Sequence, residues 1–324
     1  MDQSPLCYTQ LFGQDRAKKM LSRALAGDRL PHAFLFRGEE GVGKQLFARG
    51  VAAAVNCRDV NRVGACGICS SCRKFISSNQ PDYVVIRPDK GVIKIDRIRQ
   101  LIRELEFAPY ESPVRVVVIE DVHAMRREAA NALLKTLEEP PAKNLFILTA
   151  ESSQEMLPTL VSRCQVIFFG PLSIADTVAV LQRHDIDAEN RRLLAQLSGG
   201  SPGKALVYER AGMVPVWREV VTFLGDPRVD PNRDAGELLI LAEKMAALKE
   251  DFAAFLGLLR YWLRDLLLAR DQGENGGVSG RMLKSWSSVE LFAKLRAIDR
   301  AERQLAGNCN KNLVAEALMF SLQD

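Results

Sequence analysis

The stretch from Gly38 to Gln45 reads GEEGVGKQ, and it decides the fold of this chain. It follows the apolar run AFLF at residues 33–36, which is typical of a strand, and it precedes the helix-like run LFAR at 46–49. In the pattern GxxxxGK[ST], glycines allow backbone N–H groups to surround phosphate oxygens, and the lysine reaches the terminal phosphates. The pattern is matched by Gly38, Gly43 and Lys44. Strand, turn and helix in this order predict the fold of a phosphate-binding loop. Whether the loop binds phosphate is a separate question, and a tight turn that binds no ligand is the alternative.

The residues that would hold a metal ion depart from this pattern. A Ser or Thr hydroxyl coordinates Mg²⁺ at position 45, whereas Gln45 offers an amide, a poor ligand for an ion that prefers octahedral oxygen. Glu120 and Asp121 follow an apolar strand, where phosphate-loop enzymes hold Mg²⁺ with an acidic pair, usually Asp before Glu. The inverted order predicts a phosphate cradle without a working metal site. Two solvated carboxylates at a loop start are the alternative for this pair.

The bulk properties exclude several classes of protein. At 324 residues, the chain is long enough for two or three domains. Its net charge of +4, from 44 Lys and Arg against 40 Asp and Glu, is too small to identify a nucleic-acid-binding protein. The sequence shows no uncharged apolar run of about 18 residues and no N-terminal targeting pattern. We therefore expect a cytoplasmic protein without membrane association.

Four of the seven cysteines lie close together in the sequence, which argues against a disulfide framework. They are Cys57, Cys66, Cys69 and Cys72. The CxxCxxC spacing of the last three lets tight turns direct successive thiolates at one ion, as in structural Cys₄ zinc sites. An iron–sulfur cluster shares this spacing but normally continues to a Cys-Pro, which the chain lacks here. Free buried thiols are the third alternative. Four protein ligands leave no open position for water, so the predicted site is structural.

Apolar runs that alternate with helical patterns predict an α/β fold, with a mostly parallel sheet covered on both faces. After the strand at 33–36, further strands are predicted at residues 83–86, 92–95, 114–119, 145–148 and 166–169. Asp96 is predicted to cap the helix that follows 92–95. Another helix is predicted at 126–139, ended by the two prolines that follow it.

The rest of the chain has helical periodicity throughout. Helices are predicted at residues 174–184, 188–197, 203–210, 214–224, 234–247, 249–269, 289–306 and 312–322. The glycine-rich segment 273–280 contains few apolar residues and is predicted to be a loop. Trp262 lies on a helix that is apolar over much of its surface, which fits either core packing or a subunit contact.

Several motifs together resemble the bacterial replicative clamp loader, a family of AAA+ proteins. They are GQ at 13–14, the loop at 38–44, the four-cysteine insert, NALLKTLEEPP at 131–141 and SRC at 162–164. The resemblance is strong over residues 8–210, and the run at 131–141 is highly specific. It implies an AAA+ P-loop domain at 1–170 with a zinc module at 57–72, a helical lid at 171–210 and an all-α collar domain for oligomerisation at 211–324.

The resemblance also assigns a role to Arg163, the arginine of the SRC motif. In this family ATP sites lie between subunits, and this arginine enters the site of the neighbouring subunit. A guanidinium can neutralise charge that develops on a transferred phosphoryl group, so the assignment is chemically reasonable. A structural arginine that pairs with a carboxylate on the surface is the alternative.

Within the family, the chain resembles the delta-prime type of subunit more than the gamma/tau motor. Three departures point this way, namely Gln45, the order Glu120-Asp121, and Gly203 where the motor has an arginine that senses nucleotide. These departures imply little or no ATPase activity. Nucleotide binding with Mg²⁺ is still permitted by the retained phosphate-loop residues, which are Gly41, Gly43 and Lys44.

The resemblance implies a subunit that works with gamma/tau motor and delta clamp-opening subunits to place a sliding clamp on primed DNA during replication. DNA polymerase III activity belongs to the holoenzyme, because nothing in this chain resembles a nucleotidyl-transfer site. One alternative is an active gamma/tau-like or other DNA-dependent AAA+ ATPase that uses Lys44. A zinc-bearing interaction module without a role in clamp loading is another.

Overall fold

The computed structural model describes residues 5–27, 30–59, 63–151, 157–226, 234–272 and 286–323. The chain forms two compact units, one of residues 1–185 with 200–203 and one of residues 186–199 with 204–324. The division of the chain into three domains therefore stays a prediction. The predicted loop at 273–280 lies outside the described residues.

A five-stranded parallel sheet forms the centre of the first unit. Its strands are β1 (Ala33–Arg37), β2 (Tyr83–Ile86), β3 (Arg115–Ile119), β4 (Asn144–Ala150) and β5 (Gln165–Phe168). They are arranged in the order β2-β3-β4-β1-β5, and every pairing is parallel. Because parallel strands end at the same edge, residues that follow different strands come together there. This arrangement confirms the predicted parallel sheet.

Helices cover both faces of this sheet, as the continuous apolar runs of its strands require. The helices of the first unit are α1 (Asp15–Ala26), α2 (Lys44–Val55), α3 (Ser70–Ile76), α4 (Ile95–Leu105), α5 (Arg127–Glu138), α6 (Pro158–Val161) and α7 (Ile174–Gln182), and all but α7 contribute to the core clusters on the sheet. Phe36 of β1 belongs to the core cluster that contains Phe47 of α2. Its neighbour Leu35 belongs to the opposite cluster, with Leu133 of α5. Both layers are therefore anchored on β1, the strand that leads into the phosphate loop.

The predicted strand at 92–95 and the predicted cap at Asp96 are wrong. Asp89 and Val92 exchange backbone hydrogen bonds of 3.0 and 3.1 Å around a tight turn, and α4 already begins at Ile95. Only isolated bridges form in this segment. The N-cap residue of α4 is Lys94, which makes no side-chain cap. Asp96 instead lies in the first turn, where its charge favours the positive end of the helix.

The second unit is helical in all its described elements. They are α8 (Ala188–Leu197), most of α9 (Pro202–Arg210), α10 (Met213–Leu224), α11 (Ala235–Ala246), a short 3₁₀ turn (Lys249–Asp251), α12 (Phe252–Gln272), α13 (Ser288–Ala306) and α14 (Lys311–Gln323). Trp262 is buried and makes edge-to-face contacts with Trp217 and Trp286, at ring-centroid distances of 6.4 and 6.0 Å. Trp262 therefore packs in the core. No helix among the described residues is long and apolar enough to cross a bilayer.

Candidate functional site

The loop between β1 and α2 has the backbone geometry that its glycines predict. Gly41 and Gly43 have φ angles of +76° and +100°, in the left-handed region that glycine adopts at low cost. At Gly38, a Cβ atom would lie 2.2 Å from the carbonyl oxygen of Phe169. A side chain at position 38 would therefore displace the loop or the chain beside it.

The Lys44 side chain is buried at the start of α2 and contacts this loop. Its Nζ donates hydrogen bonds of 2.6 and 2.7 Å to the carbonyl oxygens of Gly38 and Glu39. Only 7% of Lys44 is exposed. The structure thus brings Lys44 to Gly38, with the amine held by backbone oxygens of the loop; its predicted contact with phosphate stays a prediction.

A second segment, residues 200–203, supports the phosphate loop from another direction. The Ser201 hydroxyl donates to the carbonyl oxygen of Glu40 over 2.8 Å, and the Gly203 N–H donates to that of Gly41 over 3.0 Å. A Cβ atom at Gly203 would lie 2.6 Å from the Cα atom of Gly41. No side chain at position 203 is compatible with this backbone contact.

This contact predicts that Gly203→Ala lowers the free energy of unfolding by about 1–3 kcal/mol, the usual cost of overpacking. The added methyl group must push residue 203 away from Gly41. Urea unfolding followed by circular dichroism measures the change. The matched control is Gly236→Ala, because nothing lies within 4 Å of a Cβ at that helical position. Alanine should leave the stability unchanged or raise it there. Equal stability of both variants would contradict the prediction.

The carboxylate of Glu120, predicted as a metal ligand, is held by two side chains of the protein. Gln45 Nε2 donates to Glu120 Oε2 over 2.7 Å, and Arg87 Nε donates to the same oxygen over 3.0 Å. The Glu120 side chain is only 6% exposed, whereas that of Arg87 is 69% exposed. Burial, reinforced by the negative Glu120, raises the pKa of nearby Tyr83 to about 12. The guanidinium of Arg87 therefore neutralises the Glu120 charge, and the Gln45 amide binds the same oxygen, where a metal ion is expected.

Asp121 is placed differently from Glu120. Its backbone adopts a φ of +51°, and its N–H donates to Thr149 Oγ1 over 3.0 Å. Thr149 is buried near the end of β4. The described contacts join Gln45 and Glu120 into one group but do not bring the Asp121 carboxylate into it.

Sequence reasoning missed Arg87, Thr149 and Ser201 at this site. Arg87 directly follows β2, and Ile86 pairs with Ile119 immediately before Glu120, so strand order was needed to bring the two side chains together. Thr149 offered a direct signal, because it is a polar residue in the buried strand NLFILTA. Ser201 gave no signal, since its contact with Glu40 spans 161 positions.

The four clustered cysteines meet at one point, and the group could hold a metal ion. Their Sγ atoms all lie within 4.8 Å of one another. The distances from Cys72 Sγ to Cys57 Sγ and to Cys66 Sγ are 3.8 and 3.9 Å. Zn–S bonds of about 2.3 Å in a tetrahedron place sulfurs about 3.8 Å apart. The donor set and its spacing therefore fit a four-coordinate ion.

Backbone N–H groups surround these sulfur atoms. Cys66 N–H donates to Cys57 Sγ over 3.4 Å, Cys69 N–H to Cys66 Sγ over 3.3 Å, and Cys72 N–H to Cys69 Sγ over 3.4 Å. Burial opposes ionisation of Cys69, but the N–H groups of Arg58 and Cys72 lower the pKa of its thiol to about 6. Burial raises the pKa of Cys72. The backbone thus favours thiolate, the form that binds metal, at part of the cluster.

Arg163 lies after α6 and just before β5, apart from the contacts of the phosphate loop. Its NH1 group donates to the carbonyl oxygen of Thr159 over 2.8 Å, and its NH2 group donates to Glu138 Oε1. The side chain is 31% exposed. Burial raises the pKa of the adjacent Cys164 to about 12, so that thiol stays protonated. Arg163 is therefore a partly exposed guanidinium whose NH1 and NH2 groups are hydrogen-bonded within the chain, and the cysteine beside it is unreactive.

Comparisons with known proteins place these features in a family. Residues 13–173 match the family model described as "DNA polymerase III, delta subunit". The delta' subunit of DNA polymerase III from Bacillus subtilis is 35% identical over 185 residues, which are 57% of this chain and 56% of that protein. The delta' subunit from Pseudomonas aeruginosa is 35% identical over 175 residues, 53% of each chain.

A tau subunit and a gamma-subunit-related protein are also similar to this chain. The tau subunit of DNA polymerase III from Escherichia coli is 32% identical over 208 residues, 62% of this chain and 32% of that protein. A gamma-subunit-related structure from Thermotoga maritima has a TM-score of 0.47 at 19% identity, covering 95% of this chain and 98% of that one. The chain thus spans about half of its delta' relatives and a third of this tau relative. With its parallel sheet and phosphate loop, the chain belongs to the family of DNA polymerase III clamp-loader subunits.

Proposed function

We propose that this chain is a delta-prime-type subunit of the clamp loader, with little or no ATPase activity of its own. In this proposal it assembles with gamma/tau motor and delta subunits, and the complex places a sliding clamp on primed DNA. Its contribution to catalysis is Arg163, which enters the ATP site of a neighbouring motor subunit. The observation that carries the proposal is the Glu120 carboxylate, which is bound by Gln45 and Arg87.

The Glu120 contacts support loss of hydrolysis for an electrostatic reason. Mg²⁺ in a phosphate-loop enzyme needs a hydroxyl at position 45 and an accessible carboxylate at the end of a second strand, which is β3 here. Here the Gln45 amide donates a hydrogen bond to that carboxylate instead of offering a hydroxyl, and Arg87 already supplies a positive charge. A dication in this place would face the guanidinium of Arg87 and would have to displace two hydrogen bonds. Magnesium-dependent hydrolysis at this site is therefore disfavoured.

Gly203 supports the same conclusion from the other side of the loop. A nucleotide-sensing arginine at this position would carry a Cβ atom within 2.6 Å of Gly41 Cα. The chain uses the position for a backbone hydrogen bond to the loop instead. Gly41, Gly43 and Lys44 retain the elements of a phosphate cradle, so we infer that weak nucleotide binding at this loop survives without turnover.

We further propose that the cysteine cluster holds a structural Zn²⁺ ion. Sulfur–sulfur distances of 3.8 and 3.9 Å fit four thiolates around one zinc ion. Cys69, Cys66 and Cys57 each accept a backbone N–H, which stabilises the negative charge that metal binding requires. All four ligand positions are filled by protein, so the ion supports the insert rather than a reaction.

ATP turnover with Mg²⁺ tests the proposed division of labour. We expect no turnover by this chain alone, and stimulated turnover when it joins its motor and clamp-opening partners with clamp and primed DNA. Lys44→Ala should leave the turnover of the complex unchanged, because the site of this chain contributes no hydrolysis. Wild-type and variant complexes are compared at equal composition, confirmed by gel filtration.

The second candidate function is an active gamma/tau-like ATPase, which the 32% identity to tau favours. Turnover by the isolated chain that is lost in Lys44→Ala would establish it and overturn the proposal. A complex that loads clamps equally well without this chain would instead indicate an interaction module with no role in loading.

A further inference from the structure

The guanidinium of Arg163 is held from two different elements of the first unit. Glu138, the last residue of α5, accepts from NH2, and the carbonyl of Thr159 in α6 accepts from NH1 over 2.8 Å. Ser162 Oγ lies 3.3 Å from NH1. An arginine side chain loses rotamer entropy when it is fixed. These contacts therefore fix part of that freedom before any partner arrives.

The backbone that carries the acceptor Glu138 is held in place by the fold, while the Glu138 side chain is 49% exposed. α5 buries Leu133 and Leu137 against the sheet, and the prolines at 140–141 prevent the helix from continuing. The helix that carries Thr159 is anchored by the buried Leu160, in the same core cluster. The backbone positions of both acceptors of Arg163 are thus tied to the core of the first unit.

The chemistry leaves Arg163 able to act on a phosphate. A guanidinium has five N–H donors and keeps its charge at all relevant pH values. The described contacts account for NH1 and for one proton of NH2, which leaves Nε–H and the second NH2 proton as donors. These two protons can form a paired contact with a phosphoryl oxygen pair, the arrangement that makes arginine effective at such sites.

We propose that Glu138 is a positioning residue that presets the orientation of Arg163 for the ATP site of the neighbouring subunit. This inference rests on the proposed function, because it assigns a supporting role to a residue that acts through Arg163. Glu138 touches neither the nucleotide nor the reacting atoms. Its carboxylate reduces the number of orientations that Arg163 must give up when the γ-phosphoryl charge develops.

Glu138→Gln in the reconstituted clamp-loader complex tests the role. The amide keeps the size of the side chain but loses the charge, and we expect turnover to fall about three- to tenfold. The KM for ATP should stay unchanged, because positioning affects the transition state more than the bound nucleotide. Glu139→Gln is the matched control: it removes the same charge from the next residue, which is exposed and makes no described contact with Arg163. The control should retain full turnover.

A double substitution separates positioning from a general structural effect. In a complex that already carries Arg163→Ala, adding Glu138→Gln should have no further effect on turnover. A further loss of turnover in the double variant would overturn the positioning role. So would a single Glu138→Gln variant whose turnover is higher than that of the wild type or equal to that of Glu139→Gln. If Arg163→Ala itself leaves turnover unchanged, the proposed function fails. If Arg163→Ala lowers turnover and Glu138→Gln does not, only this inference fails.

Discussion

Replacing Arg163 by alanine is expected to slow ATP hydrolysis by about 10³-fold or more at the motor site that receives it. The substitution removes the positive charge that compensates the developing phosphoryl charge, and no neighbouring cation in the SRC motif replaces it. The measurement is single-turnover hydrolysis in the reconstituted complex, with clamp and primed DNA present. If the proposed complex contains several ATP sites, single-turnover phases resolve the affected site, whereas steady-state rates average over all of them.

Two variants make this result specific. Arg163→Lys keeps the charge but loses the planar, paired donors, so it should recover only a small part of the rate. Lys44→Ala changes the phosphate loop of this chain and should leave the same phase unaffected. We expect gel filtration to show intact assembly of each complex. Arg163 is partly exposed, so its local contacts contribute little to the stability of the fold. Normal hydrolysis by the assembled Arg163→Ala complex would contradict the trans-acting role.

Much of the fold could be predicted because its signals are local. The apolar run before Gly38 and the periodicity after it were enough to predict β1, the turn and α2, since each element depends on neighbouring residues. The parallel arrangement followed from the alternation of strands and helices. The prediction failed at 92–95, where the turn at Lys90 and Gly91 uses backbone hydrogen bonds that a β pattern does not reveal.

The candidate site was harder to predict because its important contacts join distant parts of the chain. The motif indicated that Gln45 is a poor metal ligand, but only the sheet order brings Glu120 and Arg87 to it. Likewise, the absence of an arginine at Gly203 was visible in the sequence, whereas the steric reason depends on Gly41. Only for the cysteine cluster could all members of a group be predicted from their spacing, because its four residues fall within residues 57–72.

Replacing Cys72 by serine is expected to have the largest effect on stability among the substitutions considered. Cys72 is fully buried, and its sulfur lies 3.8 and 3.9 Å from those of Cys57 and Cys66. Serine cannot supply a soft thiolate, so the proposed zinc ion would lose one of four ligands in a closed site. Because structural zinc binding contributes directly to folding, the free energy of unfolding should fall by on the order of 4 kcal/mol.

Metal analysis and hydrogen exchange measure this effect at the insert itself. The wild-type chain should contain one zinc ion, and Cys72→Ser should contain little. Amide protection should be lost over α3, where Cys72 and Phe75 join the core beneath the sheet. Cys309→Ser is the matched control, because Cys309 is exposed and lies outside the cluster. A wild-type chain that lacks zinc, with all four clustered thiols titrating as free in the native state, would contradict the metal site. Loss of α3 protection in Cys72→Ser without metal in the wild type would assign Cys72 to core packing alone.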